Sequence, residues 1–208
     1  MGLDRERIAA TYAAGAGDGL VGSGYFVTDG LVLTAAHGVG SIGDPAQVKR
    51  LDGDWLPAKV VWRGETSDSA LVELALPSDR PRFHTAIRWG RIEGPDRVSC
   101  TAVGFPWAEA RPENLRDSHQ LYGDIAPLTG RKSRRYAINV TTAPPAGRPP
   151  GRSPWAGMSG AAVTAGGVVV GVVVIDPERF GADRLDAVPI EEIFAEEAFA
   201  ERVGGGGL

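Results

Sequence analysis

Cysteine is nearly absent: Cys100 is the only one in 208 residues. No internal disulfide can form, which excludes a disulfide-stapled scaffold and favours a reducing compartment. Lysine is also scarce, with only Lys49, Lys59 and Lys132, so arginine supplies most of the positive charge. That bias, with abundant alanine and glycine, points to a GC-rich bacterial source. The net charge of −4 argues against a general nucleic-acid binder, because counterion release needs a broad basic footprint. One basic run, "RKSRR" at 131–135, reads as a solvated turn. No apolar run reaches transmembrane length, and "MGLDRERIAA" mixes charges of both signs, unlike a secretory leader. A cytoplasmic protein without membrane contact is expected. No His/Cys cluster has metal-ligand spacing and no phosphate loop is present, so neither metal nor cofactor is expected.

Glycine and proline are plentiful, and they punctuate short β-type runs. Strands are expected near 7–13, 20–28, 30–34, 57–63, 70–75, 98–104, 120–127, 136–142, 161–165, 168–175 and 184–188. Many short strands at even spacing indicate an all-β sandwich or barrel. "VTDG" at 27–30 and "TAGG" at 164–167 carry hairpin signals. A loop-like region at 76–97 joins a first half, about 7–75, to a second half, 98–203, that closes on a helix. In that helix Pro189 suits the first turn, Glu191 and Glu192 favour the positive end of the dipole, and Ile190, Ile193 and Phe194 form an apolar stripe. "GGGGL" at 204–208 reads as a flexible tail or linker stub. The Pro/Gly-rich stretch 143–154 lacks the amide donors of a central strand and is expected as an irregular loop.

Three residues carry the chemistry. Ser159 lies in "GMSGA" between two glycines; alone it is an ordinary turn. His37 follows the apolar run "LVLTAA", and Asp68 precedes "SALVEL"; alone each is a structural or capping residue. Together they change meaning. A serine hydroxyl is a weak nucleophile until a base lies within hydrogen-bond reach, and the base needs a carboxylate to fix its tautomer. All three sit beside strands in the order His, Asp, Ser, one of the known orders of that constellation.

At these residues the sequence resembles the trypsin-like serine peptidases of the chymotrypsin fold. "GSGYFVTDGLVLTAAH" (22–37) is similar to the hairpin leading into their histidine, "SDSALVEL" (67–74) to their aspartate motif, and "GMSGAAV" (157–163) to their serine box. The resemblance covers about residues 7–194. It implies two six-stranded antiparallel β-barrels with the site between them. It implies His37 as general base, Asp68 as its orienter, Ser159 as nucleophile, and the Gly157 and Ser159 amides as oxyanion hole. Met158 replaces the aspartate that, in digestive members, pairs with a freed N-terminus, so that activation route is not expected. Control is expected elsewhere, in the Pro/Gly loop before Ser159. Val174 replaces a serine that often supports the aspartate.

By the same resemblance Ser153, Val174, Asp176 and Asp186 are the residues expected at the specificity pocket, with a weak lean towards basic or small side chains, and Arg184 offsetting the aspartates. Trp155 is expected near the cleft rim, Trp62 and Trp89 in packing, and Cys100 as a buried small hydrophobe. The implied partner is a protein or peptide substrate. Similarity to trypsin-like domains of actinobacterial multidomain proteins adds a fused or associated NTPase or repeat domain and regulated proteolysis in signalling or defence. A lipase is disfavoured because Ala161 stands where the Gly-x-Ser-x-Gly elbow ends in glycine. A silent or latent peptidase-fold module that binds a protein partner remains the alternative.

Overall fold

Short strands with one apolar face bury that face most economically by curling the sheet until its edges meet, and this chain does so twice. In the computed structural model of the protein, residues 3–13, 21–110, 116–144, 153–175 and 182–204 are described. The first barrel consists of β1 (Ile8–Tyr12), β2 (Val21–Phe26), β3 (Leu31–Ala35), β4 (Pro45–Arg50), β5 (Trp55–Arg63) and β6 (Ser69–Leu74). It closes in the order β1-β2-β3-β6-β5-β4, every pair antiparallel. The second consists of β7 (Val98–Gly104), β8 (His119–Ala126), β9 (Tyr136–Val140), β10 (Ala162–Ala165), β11 (Val168–Ile175) and β12 (Arg184–Pro189). It repeats the same connectivity, β7-β8-β9-β12-β11-β10. The expected architecture of two six-stranded barrels is therefore present.

β4 has no counterpart among the strands expected from sequence. It opens on a proline, and only Ala46 and Val48 point inward while Pro45 and Gln47 are exposed. Two small inward residues are too weak a period-two signal, and the strand exists because β1 and β5 both pair with it. The 27–30 and 164–167 turns do connect hairpins, β2 to β3 and β10 to β11. The basic run forms an exposed 3-10 turn, Arg131–Ser133.

Each barrel has its own core. Phe26, Val32, Val60 and Val72 fill the first. Leu121, Ile138, Met158 and Val173 fill the second. A third cluster welds the barrels together: Leu33, Trp62 and Leu71 meet Val172, Val174 and Val188, capped by Ile190, Ile193 and Phe199 from the C-terminal helical segment. The expected helix is present but divided into α1 (Ile190–Phe194) and α2 (Glu197–Arg202), because Glu196 is extended, with φ −87° and ψ 101°. The linker is pinned at both ends. Buried Arg7 donates to the carbonyls of Phe26 and Thr85, pairs with Asp4 at 3.3 Å and lies 4.1 Å over the Phe83 ring. Farther along, Val169 N–H donates to Arg88 O at 2.8 Å and Gly90 N–H to Val169 O at 3.0 Å. Among the described residues no helix is long and apolar enough to cross a membrane.

Candidate active site

β3 ends at Ala35, and the chain turns once through Ala36–Gly38, so His37 projects from the rim of the first barrel. Asp68 immediately precedes β6, the strand paired with β3, and the pairing brings the two together. His37 Nδ1 lies 2.9 Å from Asp68 Oδ2, and the His37 amide donates to Asp68 Oδ1 at 3.0 Å. A carboxylate only accepts, so Nδ1 carries the hydrogen and Nε2 keeps its lone pair. The pair is not sealed off: the two side chains are 47% and 28% exposed. Asp68 has φ +47°, a left-handed conformation that aspartate tolerates better than most residues. The turn bearing His37 is braced from below. Arg63 Nη1 donates to the carbonyls of Ala36, Val39 and Gly40 at 2.7, 2.8 and 2.6 Å.

The serine turn comes from the second barrel and is anchored on the first. Ser23 N–H donates to Ser159 O at 2.9 Å, and Ser23 Oγ donates to Gly157 O at 2.7 Å while accepting from Phe105 N–H at 2.9 Å. Thr34 Oγ donates to Ser23 O at 2.7 Å, so the Ser159 main chain rests beside β3, three residues before His37. Gly157 has φ +101°, and a Cβ there would stand 2.5 Å from Phe105 O. Only glycine meets both demands.

The direction of the Gly157 amide is set by its neighbour. The Ala156 carbonyl accepts from Trp107 N–H at 2.6 Å. In a trans peptide, C=O and the following N–H point opposite ways, so the Gly157 N–H points away from Trp107. Among the described residues, neither the Gly157 nor the Ser159 amide donates a hydrogen bond. Two unspent donors flanking a serine turn, with a histidine–carboxylate pair on the adjoining strand, form an arrangement suited to acyl transfer.

A family model described as "Trypsin-like peptidase domain" matches residues 22–172. The chain belongs to this family of trypsin-like peptidases. A search of curated proteins found no match. Among solved structures, the serine endoprotease from Yersinia pestis is similar over 96% of this chain at 18% identity and a TM-score of 0.67. This chain spans 63% of that protein's length. The active form of the Rv3671c protease from M. tuberculosis is similar over 98% of this chain and 83% of its own, at 16% identity and a TM-score of 0.68. Its inactive form gives 17% identity over 96% of this chain and 90% of its own, with a TM-score of 0.64.

Within this trypsin-like peptidase, Met158 is fully buried in the second-barrel core with Cys100, Leu121 and Ile138. Burial, and next the Asp124 charge, push the Cys100 thiol up to about 12. Val174 is buried among Leu33, Leu71 and Val188. β11 turns this side chain into the seam between the barrels. It supplies no hydroxyl to Asp68, whose carboxylate takes both of its hydrogen bonds from His37 among the described residues.

The place expected for Trp155 is corrected. It is 1% exposed, not at a rim, and its indole N–H donates to Ala182 O at 2.7 Å. Its ring packs edge-on against His119, at 5.5 Å. An indole so placed fixes the loop before β12 to the serine turn. Ser153 Oγ accepts from Trp155 N–H at 3.0 Å, so its hydroxyl shapes the turn. Asp186 pairs with Arg184 at 2.9 Å, which offsets its charge. Asp176 and residues 145–152 of the Pro/Gly loop lie outside the described residues.

Ser23, Arg63 and Trp107 were not expected from the sequence as site residues. Ser23 lies between two glycines, a spacing that marks close backbone approach. The other two act through main-chain carbonyls, which leave no residue-type signal. Among the described residues no group of His, Cys, Asp and Glu could hold a metal ion.

Proposed function

We propose that this chain is a serine endopeptidase that cleaves peptide bonds through a triad of His37, Asp68 and Ser159. The observation that carries the reading is the His37–Asp68 bond of 2.9 Å, beside a serine turn whose amides are unspent. Ser159 Oγ attacks the peptide carbonyl while His37 Nε2 takes its proton. The tetrahedral oxyanion is held by the Gly157 and Ser159 amides. His37 then returns the proton to the leaving amine, and water repeats the sequence on the acyl-enzyme. Asp68 holds the imidazole in the Nδ1–H tautomer and stabilises the imidazolium.

The test is covalent labelling. A fluorophosphonate should modify Ser159 in the native chain, and Ser159→Ala should abolish the adduct. Removing Ser159 or His37 should lower peptide turnover by roughly 10⁴–10⁶. A folded protein that takes up no label would overturn the reading and favour a silent binding module.

The single cysteine supports action in a reducing bacterial cytoplasm. Regulated cleavage of a specific protein, with an attached NTPase or repeat domain as controller, rests on the sequence resemblance alone. A longer native polypeptide carrying such a domain is the finding that would support it.

A further inference from the structure

The loop between β5 and β6 carries Asp68 in a conformation that does not hold itself. A left-handed non-glycine residue persists only where its surroundings fix it. Ser67 and Ser69 are buried, Ala36 N–H donates to Asp68 O at 2.9 Å and Gly64 N–H to Ser69 O at 2.7 Å, while Glu65 and Thr66 are exposed. The 65–67 backbone takes a further hold from the far end of the chain. Glu196 Oε2 accepts from Glu65 N–H at 2.8 Å, and Oε1 accepts from Ser67 N–H at 3.1 Å and from Thr66 N–H and Oγ–H at 3.4 Å. One carboxylate thus gathers three successive amides, the geometry in which a loop backbone binds an anion. The fit is close. A Cβ at Gly64 would stand 2.9 Å from Glu196 Oε1 and would overlap Ser67 Oγ. The same residue interrupts the helix: extended Glu196 separates α1 from α2 and turns its side chain towards the loop.

We propose that Glu196 is a positioning residue for the catalytic pair, holding the 65–67 backbone so that Asp68 meets His37. This rests on the triad reading above. Two ionic braces then serve one catalytic pair. Arg63 gathers the carbonyls around His37, and Glu196 gathers the amides before Asp68. The roles match the charges, since a guanidinium can only donate and a carboxylate can only accept. Glu196 touches neither the substrate nor the reacting atoms. Its effect reaches them through the His37–Asp68 bond.

The experiment compares wild type, Glu196→Ala and Glu196→Gln by three readouts: fluorophosphonate labelling rate, kcat and KM for a peptide substrate, and the downfield proton resonance of the His37 Nδ1–H followed by NMR. In Glu196→Ala the labelling rate and kcat should fall roughly 10–100-fold with KM little changed, the scale of a misplacement of about 1 Å. The His37 Nδ1–H resonance should move upfield or broaden, because its hydrogen bond to Asp68 is weakened. Glu196→Gln keeps one acceptor oxygen and the packing, so it should fall between wild type and alanine. It carries the same readouts should the alanine variant not fold. Unchanged labelling and an unchanged His37 Nδ1–H resonance in folded variants would overturn the proposal. Failure of the triad reading looks different: wild type would go unlabelled, while the resonance would still move when Glu196 is replaced.

Discussion

Met158 occupies a place that a charged side chain could not. It is fully buried with Cys100, Leu121 and Ile138, and a Cβ on Gly104 would stand 2.8 Å from its sulfur. Burying a methionine contributes about 1.5–3 kcal/mol. Restoring the aspartate found in digestive relatives would replace that gain with an uncompensated charge. Met158→Asp should cost roughly 3–5 kcal/mol, read as a lower urea midpoint at unchanged slope. Met158→Leu should cost less than about 1.5 kcal/mol. The sequence made the departure visible as a missing acid. It could not say that the space is filled by core, because burial depends on neighbours such as Cys100, Leu121 and Ile138, contributed by three different strands.

Among the elements, the C-terminal helical segment does the most work for its length. The apolar stripe of Ile190, Ile193 and Phe194 was legible, and two of the three are fully buried. The break at Glu196 was not, because a glutamate in a helical run carries no stop signal; its partner is a loop about 130 positions earlier. Phe199, beyond the break, packs at 5.2 Å from Trp62 and 5.1 Å from Phe194, with Trp89 at 6.4 Å. These rings belong to β5, α1 and the linker, so Phe199 joins three parts of the chain. Phe199→Ala should lose about 3–5 kcal/mol and change the tryptophan fluorescence of the folded state. By contrast Leu76→Ala, at a residue 52% exposed, should stay within about 0.5 kcal/mol. Chemical denaturation of both variants checks the contrast.

At the scale of the whole molecule, the fold was legible because barrel strands repeat a simple pattern. Eleven of its twelve strands were marked by apolar runs and turn residues. The meeting of His37 and Asp68 was legible from type and order. The braces around them were not, since Ser23, Arg63 and Glu196 work through backbone atoms. The surroundings of Val174 and Asp186 were not legible either, because they are set by the register of β11 and β12 rather than by the residues' own letters.

Both barrels and their seams also keep acidic protons buried, which predicts how the molecule fails in alkali. Burial is the main cause that pushes Tyr25 and Cys100 up to about 12. It raises Tyr136 further still, helped by the hydrogen bond from its hydroxyl to Glu191 at 2.8 Å. The unfolded chain releases these protons at about pH 8.5–10. Each raised value therefore adds stability that is complete below that range and is lost as pH climbs towards 12 and beyond. Denaturant midpoints should hold steady around neutrality and fall steeply above about pH 10. Cys100 should resist thiol reagents at pH 8 until the protein is unfolded.

The bond from Trp107 to Ala156 has a consequence in time rather than in space. It lies within the folded chain, between the segment after β7 and the turn before Ser159. On the triad reading proposed above, the peptide that aims the Gly157 amide is set when the barrels close, so fluorophosphonate labelling should return at the same rate as the tryptophan fluorescence of the refolding protein. Labelling that lags behind folding would show that a later step arms the turn.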